Sequence, residues 1–200
     1  MTTDYSLICD ALSKQGYIVL TDFIDADLTQ QLYKHVTALP ETVFSTAKVG
    51  RQQSVQQLET VRNDRTVWLS ETHPIEQTYL DALDALKMQL NRHLFLGLHD
   101  FEAHFAHYPP GNFYRRHVDA FRGQSNRVVS SVFYLNPDWS EQDEGQLVLY
   151  DVTSDKPLQI VQPRFGNMVL FLSEQFPHEV LPAKRDRYSI AGWFRTDKVV

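Results

Sequence analysis

Apolar residues recur mainly at helical spacing through the first hundred positions of this 200-residue chain and mainly at strand spacing through the second hundred. In DYSLICDALSKQGY (4–17), Leu7, Ile8 and Leu12 fall at helical intervals, and Gly16 is placed to end the helix. YIVLTDFI (17–24), dense in β-branched and aromatic residues, predicts a strand. DADLTQQLYKHVTALP (25–40) offers Asp25 or Asp27 as an N-cap, sets Leu28, Leu32, Val36 and Leu39 on one face, and stops at Pro40. The stretch 73–97 predicts the longest helix, with Tyr79, Leu83, Leu86, Leu90 and Leu94 as its buried stripe.

Between these helices, STAKVGRQQSVQQLETVRND (45–64) is polar, glutamine-rich and without period. It fits either a solvated surface loop or a lid over a binding site. From Phe101 onward the texture changes to short runs of Val, Ile, Leu, Phe and Tyr: FEAHFAHY, NFYRRHVDAF, RVVSSVFYL, GQLVLYDV, LQIV, GNMVLFL and RYSIAGWFR. YPPG, NPDW and QPRFG punctuate them, and the whole predicts an antiparallel sandwich or barrel.

A hydrophobic content of 42% over 200 residues supports one well-buried core, so a single domain over 1–200 is expected. Residues 1–100 would form helical support with a lid, and 101–200 the β core. The net charge of −6 disfavours nucleic acid as a partner. The single cysteine, Cys9, cannot form an internal disulfide and fits a reducing compartment. The first residues lack a basic end and a continuous apolar run, and no stretch reaches membrane-span length, so a cytoplasmic protein without membrane association is expected.

YRRHVDAF (114–121) sets His117 and Asp119 two apart in a predicted strand, where they would share a face. Such a pair can grip a metal, form a catalytic dyad or hydrogen-bond to itself. Among 8 histidines, one H-x-D spacing decides nothing by itself. His178, in QFPHEVL between two strand-like runs, adds a third candidate ligand. Two histidines and a carboxylate with open positions are the facial triad of non-haem Fe(II) oxygenases. Arg187 follows nine residues later in RDRYSIAGWFR, with Ser189 on its face. A guanidinium there suits the distal carboxylate of 2-oxoglutarate, because its planar fork pairs bidentately with a carboxylate. HFAH (104–107) looks like a metal pair, but strand period puts its histidines on opposite faces, and both are read as structural.

With these residues in place, the sequence resembles the 2-oxoglutarate- and Fe(II)-dependent dioxygenases, and within them the prolyl hydroxylases of the hypoxia-sensing type and their bacterial relatives. The resemblance runs from Arg62 to Arg195 through RNDRTVWL, HYPPGNFYRRHVDAF, VFYLNPDW, EGQLVLY, FPHEVLPA and RYSIAGWF. It implies a mainly β, α+β fold: a double-stranded β-helix (jelly roll) packed against N-terminal helices. It implies His117, Asp119 and His178 as Fe(II) ligands and Arg187 as the 2-oxoglutarate anchor. Tyr108, Tyr134 and Leu147 would line the co-substrate pocket, and Arg62, Asp64, Trp68, Arg127 and Trp193 would lie at a peptide cleft. The reaction implied uses O₂, with ascorbate as a supporting reductant, and hydroxylates a prolyl residue in a protein while 2-oxoglutarate becomes succinate and CO₂. Bacterial members that this sequence resembles act on elongation factor Tu. A hydroxylase of a free amino acid or other small molecule, and a non-catalytic jelly-roll binding module, are the alternatives. Two departures stand out. The family often has two glycines where this sequence reads Glu144-Gly145, and Ala191 stands where the human oxygen sensors carry a threonine.

Overall fold

The computed structural model describes residues 4–46, 61–121, 123 and 125–197. Helix α1 (Tyr5–Gln15) starts at Asp4, whose side chain accepts the Ser6 N–H, and ends at Gly16 with φ +80°. A side chain at Gly16 would also press on the Phe176 ring, 2.8 Å from an added Cβ. The helix buries Ile8, Cys9 and Leu12, whereas Leu7 is 58% exposed. Leu7 lies about a hundred degrees before Ile8 on the helical wheel, and the stripe along 8, 9 and 12 takes the one face that meets the core.

Strand β1 (Tyr17–Leu20) is shorter than the run 17–24, because Asp22 takes φ +58° and turns the chain. Helix α2 (Ala26–Ala38) is capped by Asp25, which accepts the Leu28 N–H; Asp27 lies in the first turn. It buries Leu28, Leu32 and Val36, while Leu39 is already extended, as a residue before proline prefers to be. Helix α3 (Pro74–Leu94) opens on proline, where no N–H is needed, and buries Tyr79, Leu83, Leu86 and Leu90; Leu94 is only partly buried.

The strands are β2 (Ser45–Thr46), β3 (Arg65–Trp68), β4 (Leu98–Tyr108), β5 (Tyr114–His117), β6 (Arg127–Tyr134), β7 (Leu147–Tyr150), β8 (Pro157–Val161), β9 (Met168–Leu172), β10 (His178–Val180) and β11 (Arg187–Thr196). They pair antiparallel in two sheets, one ordered β1-β9-β6-β11-β4-β3-β2 and the other β5-β10-β7-β8. This is the expected jelly roll. The three helices bury their apolar stripes with Phe105, Phe133, Met168, Ile190 and Phe194 of the larger sheet. A second apolar cluster, including Tyr108, Tyr134, Leu149, Val169 and Phe171, fills the space between the sheets. Segment 47–60, the greater part of the expected lid, lies outside the described residues.

Candidate active site

The register of the smaller sheet brings the triad together. His178 opens β10 directly opposite His117 at the end of β5, so neighbouring strands present both imidazoles side by side. The rings lie 4.2 Å apart between centroids. Strand β5 stops at His117, and Asp119 sits in a bend just beyond it, so the shared strand face expected for the pair does not extend to the aspartate. The bend still delivers the carboxylate: Asp119 Oδ1 is 3.5 Å from His117 Nε2 and Oδ2 is 3.7 Å from His178 Nε2. One ligand atom from each residue falls within a common 4.8 Å.

Backbone carbonyls orient both histidines. Nδ1 of His117 lies 2.8 Å from the Arg115 oxygen and Nδ1 of His178 lies 3.0 Å from the Phe176 oxygen. A carbonyl only accepts, so each Nδ1 carries the proton and each Nε2 turns a lone pair to the centre. Burial lowers the His178 pKa to about 4, which keeps it a neutral ligand at physiological pH. Burial alone would raise the Asp119 pKa. The adjacent His178 and His117 rings and the Ser130 hydroxyl outweigh it and hold the carboxyl well below its usual range. Ser130 on β6 donates to Asp119 Oδ2 at 2.6 Å and is itself within 2.9 Å of the Ser173 hydroxyl.

These ligands open into a cavity of about 550 Å³ between the sheets. Strand period lines one wall with Arg187, Ser189, Ala191 and Trp193 of β11, and the register sets Tyr108 and His104 of β4 beside Arg187 and Ala191. Arg187 is 1% exposed. Its Nε donates to the Gly145 carbonyl at 2.9 Å and its Nη1 to Ser189 Oγ at 3.4 Å. The Tyr108 and Tyr134 rings flank it at 5.0 and 5.2 Å. Its Nη2 is buried without a hydrogen-bond partner among the described residues. A buried cation with an unused donor is a costly arrangement unless an anion occupies the space in front of it. Gly145 makes the arrangement possible, since a Cβ there would lie 2.8 Å from Ala183 and 3.3 Å from the Arg187 side chain. Its neighbour Glu144, where the family often has glycine, takes φ +57° and ψ −141°.

At the cavity mouth, Arg62 forms a bidentate pair with the fully buried Asp64, at 2.6 and 2.5 Å, and lies over the Tyr114 ring. The cavity lining includes Arg62 but not Asp64, which holds Arg62 in position. Arg127 lies over the Trp193 ring at 3.6 Å and donates to Glu102. Trp68 stands 55% exposed on the rim.

His104 and His107 do lie on opposite faces of β4, but His104 is not merely structural. It lines the cavity, with Nδ1 donating to the Phe105 carbonyl at 3.1 Å and the Trp68 and Trp193 rings against it. The alternation of β4 with Tyr108 was the signal that could have placed it there. His107 instead pairs with Asp186 and stacks on Tyr188. Ser130, too, escaped the sequence, because it reaches Asp119 only through tertiary packing.

Known proteins share this architecture. The sequence pattern of the 2OG-Fe(II) oxygenase superfamily matches residues 103–195. A prolyl-4-hydroxylase from Pseudomonas putida is 39% identical, with a TM-score of 0.85 over 97% of this chain and 100% of that one. A Trichoplax adhaerens prolyl hydroxylase, solved with a hypoxia inducible factor oxygen degradation domain peptide fragment, is 29% identical, with a TM-score of 0.86 over 96% of this chain and 89% of that one. Human Egl nine homolog 1 is 29% identical over 97% of this chain and 46% of its own length. The chain spans about half the length of the curated Egl nine relatives it matches. The chain belongs to the 2OG-Fe(II) oxygenase superfamily, whose members use Fe(II), 2-oxoglutarate and O₂.

Proposed function

We propose that the protein is a prolyl hydroxylase that hydroxylates a proline of a protein substrate at C4, coupled to conversion of 2-oxoglutarate and O₂ into succinate and CO₂. The observation that carries this reading is Arg187: a buried guanidinium with an unused Nη2, facing the same cavity as a convergent His-Asp-His set. Fe(II) held by His117, Asp119 and His178 would supply oxygen activation. The protein's residues do the rest. Arg187 and Ser189 bind the distal carboxylate of 2-oxoglutarate. Tyr108 and Leu147 wall that end of the cavity and exclude water, while Tyr134, buried outside the lining, packs its ring against the Arg187 guanidinium. Burial pushes the Tyr134 hydroxyl up to about 12, so it stays protonated and able to donate.

The mouth favours a peptide over a free amino acid. A free amino acid brings an ammonium and a carboxylate that both need partners. Among the described residues Asp119 is the one acidic side chain lining the cavity, and Arg62 and Arg127 are already paired with Asp64 and Glu102. Trp68, Trp193 and Ala191 offer apolar surface for a pyrrolidine ring whose backbone ends are already amides. Elongation factor Tu is the first candidate target, through the resemblance to bacterial members acting on it, and the cytoplasm is the corresponding site of action.

The test is anaerobic incubation with Fe(II), 2-oxoglutarate and either elongation factor Tu or a bacterial lysate, followed by air and peptide mass spectrometry. A proline gaining one oxygen atom is expected. Efficient hydroxylation of free proline with no modified peptide would overturn the protein-substrate reading, and absence of all 2-oxoglutarate turnover would overturn the activity.

A further inference from the structure

On the helix-covered face of the larger sheet, His35 of α2, His73 just before α3 and Glu76 in its first turn bring one ligand atom each within a common 4.8 Å. We propose that these three residues form a second metal site, selective for a borderline-soft divalent cation such as zinc(II), that clips α2 to the start of α3. His35 Nε2 lies 2.7 Å from Glu76 Oε1. The His35 and His73 rings are 4.0 Å apart between centroids and inclined by 29°. That spacing is close to the 4.2 Å of the triad's own two imidazoles, which are inclined by 56°.

A metal-free reading treats His35 and Glu76 as a hydrogen-bonded stitch between helices. It leaves His73 unexplained. His73 Nδ1 is buried with no hydrogen-bond partner among the described residues, and its side chain makes no cap bond to the helix it precedes. A buried unsatisfied nitrogen on a ring that shares a 4.8 Å cluster of ligand atoms with an imidazole and a carboxylate calls for a further occupant. The carboxylate is already oriented to coordinate, since Glu76 Oε2 accepts the Ser70 N–H at 2.5 Å and leaves Oε1 to face the histidines. Two imidazoles and one carboxylate suit zinc, with a fourth position left for water, and glutamate supplies the negative charge that a helix N-terminus does not. His35 becomes a ligand by moving its proton from Nε2 to Nδ1, so no net proton is lost. The ring also packs on Phe105, whose strand neighbour His104 lines the cavity, so the clip would brace β4 from behind.

Zinc titration against a chromophoric chelator separates this site from the triad. The wild-type protein should bind two zinc ions per chain, Asp119→Ala one, and His73→Ala one. Glu76→Gln keeps hydrogen bonds to both Ser70 and His35 but loses the charge, and should weaken the second site by at least about tenfold. Cobalt(II) added to Asp119→Ala should give a visible absorption band that His73→Ala removes from the double variant. Binding of a single zinc by the wild type, or retention of two in both His73→Ala and Glu76→Gln, would overturn the proposal. Should His73→Ala fail to fold, Glu76→Gln decides.

Discussion

Replacing Arg187 by alanine should weaken 2-oxoglutarate binding by about ten- to over a hundredfold. The structure sets the terms. Two of the guanidinium's nitrogens are engaged by Gly145 and Ser189, and Nη2 is free for the co-substrate. A hydrogen bond to a charged group contributes about 1.5–3 kcal/mol net, and every 1.4 kcal/mol is roughly tenfold in Kd. The flanking tyrosines exclude water, which places the loss towards the upper end of that range. Arg187→Lys keeps the charge but cannot reproduce the fork or hold the Gly145 carbonyl at the same time, and should recover only part of the affinity. Either change also leaves that carbonyl with a poorer partner, so some loss of stability is expected, of about 1–3 kcal/mol. Anaerobic calorimetry with Mn(II) in place of Fe(II) reads the Kd, and a thermal melt of each variant separates weaker binding from unfolding. A folded Arg187→Ala protein with the wild-type Kd would refute the assignment of Arg187 as anchor.

Ser130→Ala removes the hydroxyl that orients Asp119 and should lower Mn(II) affinity about tenfold, read by electron paramagnetic resonance; unchanged affinity would mean the bend alone positions the carboxylate. Burial lowers the His104 pKa to about 4, from an ordinary value of 6.5. The unfolded chain therefore takes up its proton first as pH falls, and stability present above about pH 6.5 is lost progressively towards pH 4. His104→Met should make unfolding less pH-sensitive by about 2 kcal/mol between pH 7 and 5, measured by urea denaturation; an unaltered pH dependence would contradict a neutral buried imidazole. Glu144→Gly relieves a backbone conformation that costs about 1–3 kcal/mol outside glycine, against about 0.5–1 kcal/mol of added chain entropy. A net gain near 1 kcal/mol should raise Tm by about 2–4 °C, and a lower Tm would show that Glu144 is not strained.

Local rules made much of this protein legible in its sequence. The helical stripe of α3, the glycine that ends α1 and the proline that stops α2 depend on neighbours within a turn or two. Period two alone put Arg187 and Ser189 on one face of β11, because a strand's alternation does not depend on its partners. Distances across the fold were another matter. His117 and Asp119 converge, but through a bend after β5 and not through a shared strand face. His178 lies opposite His117 only because β10 pairs with β5 in that register. Strand β10 is three residues long and follows a proline, too short to show a period of its own. Leu7 matched the helical pattern as well as Ile8 did, and only the packing of α1 chose between them. The support of Asp119 by Ser130 joins two segments that only packing brings together. Residue types and spacing nominate ligands, because they record what a side chain can bind. Only tertiary structure decides which of them meet, since that depends on contacts between segments far apart in the chain.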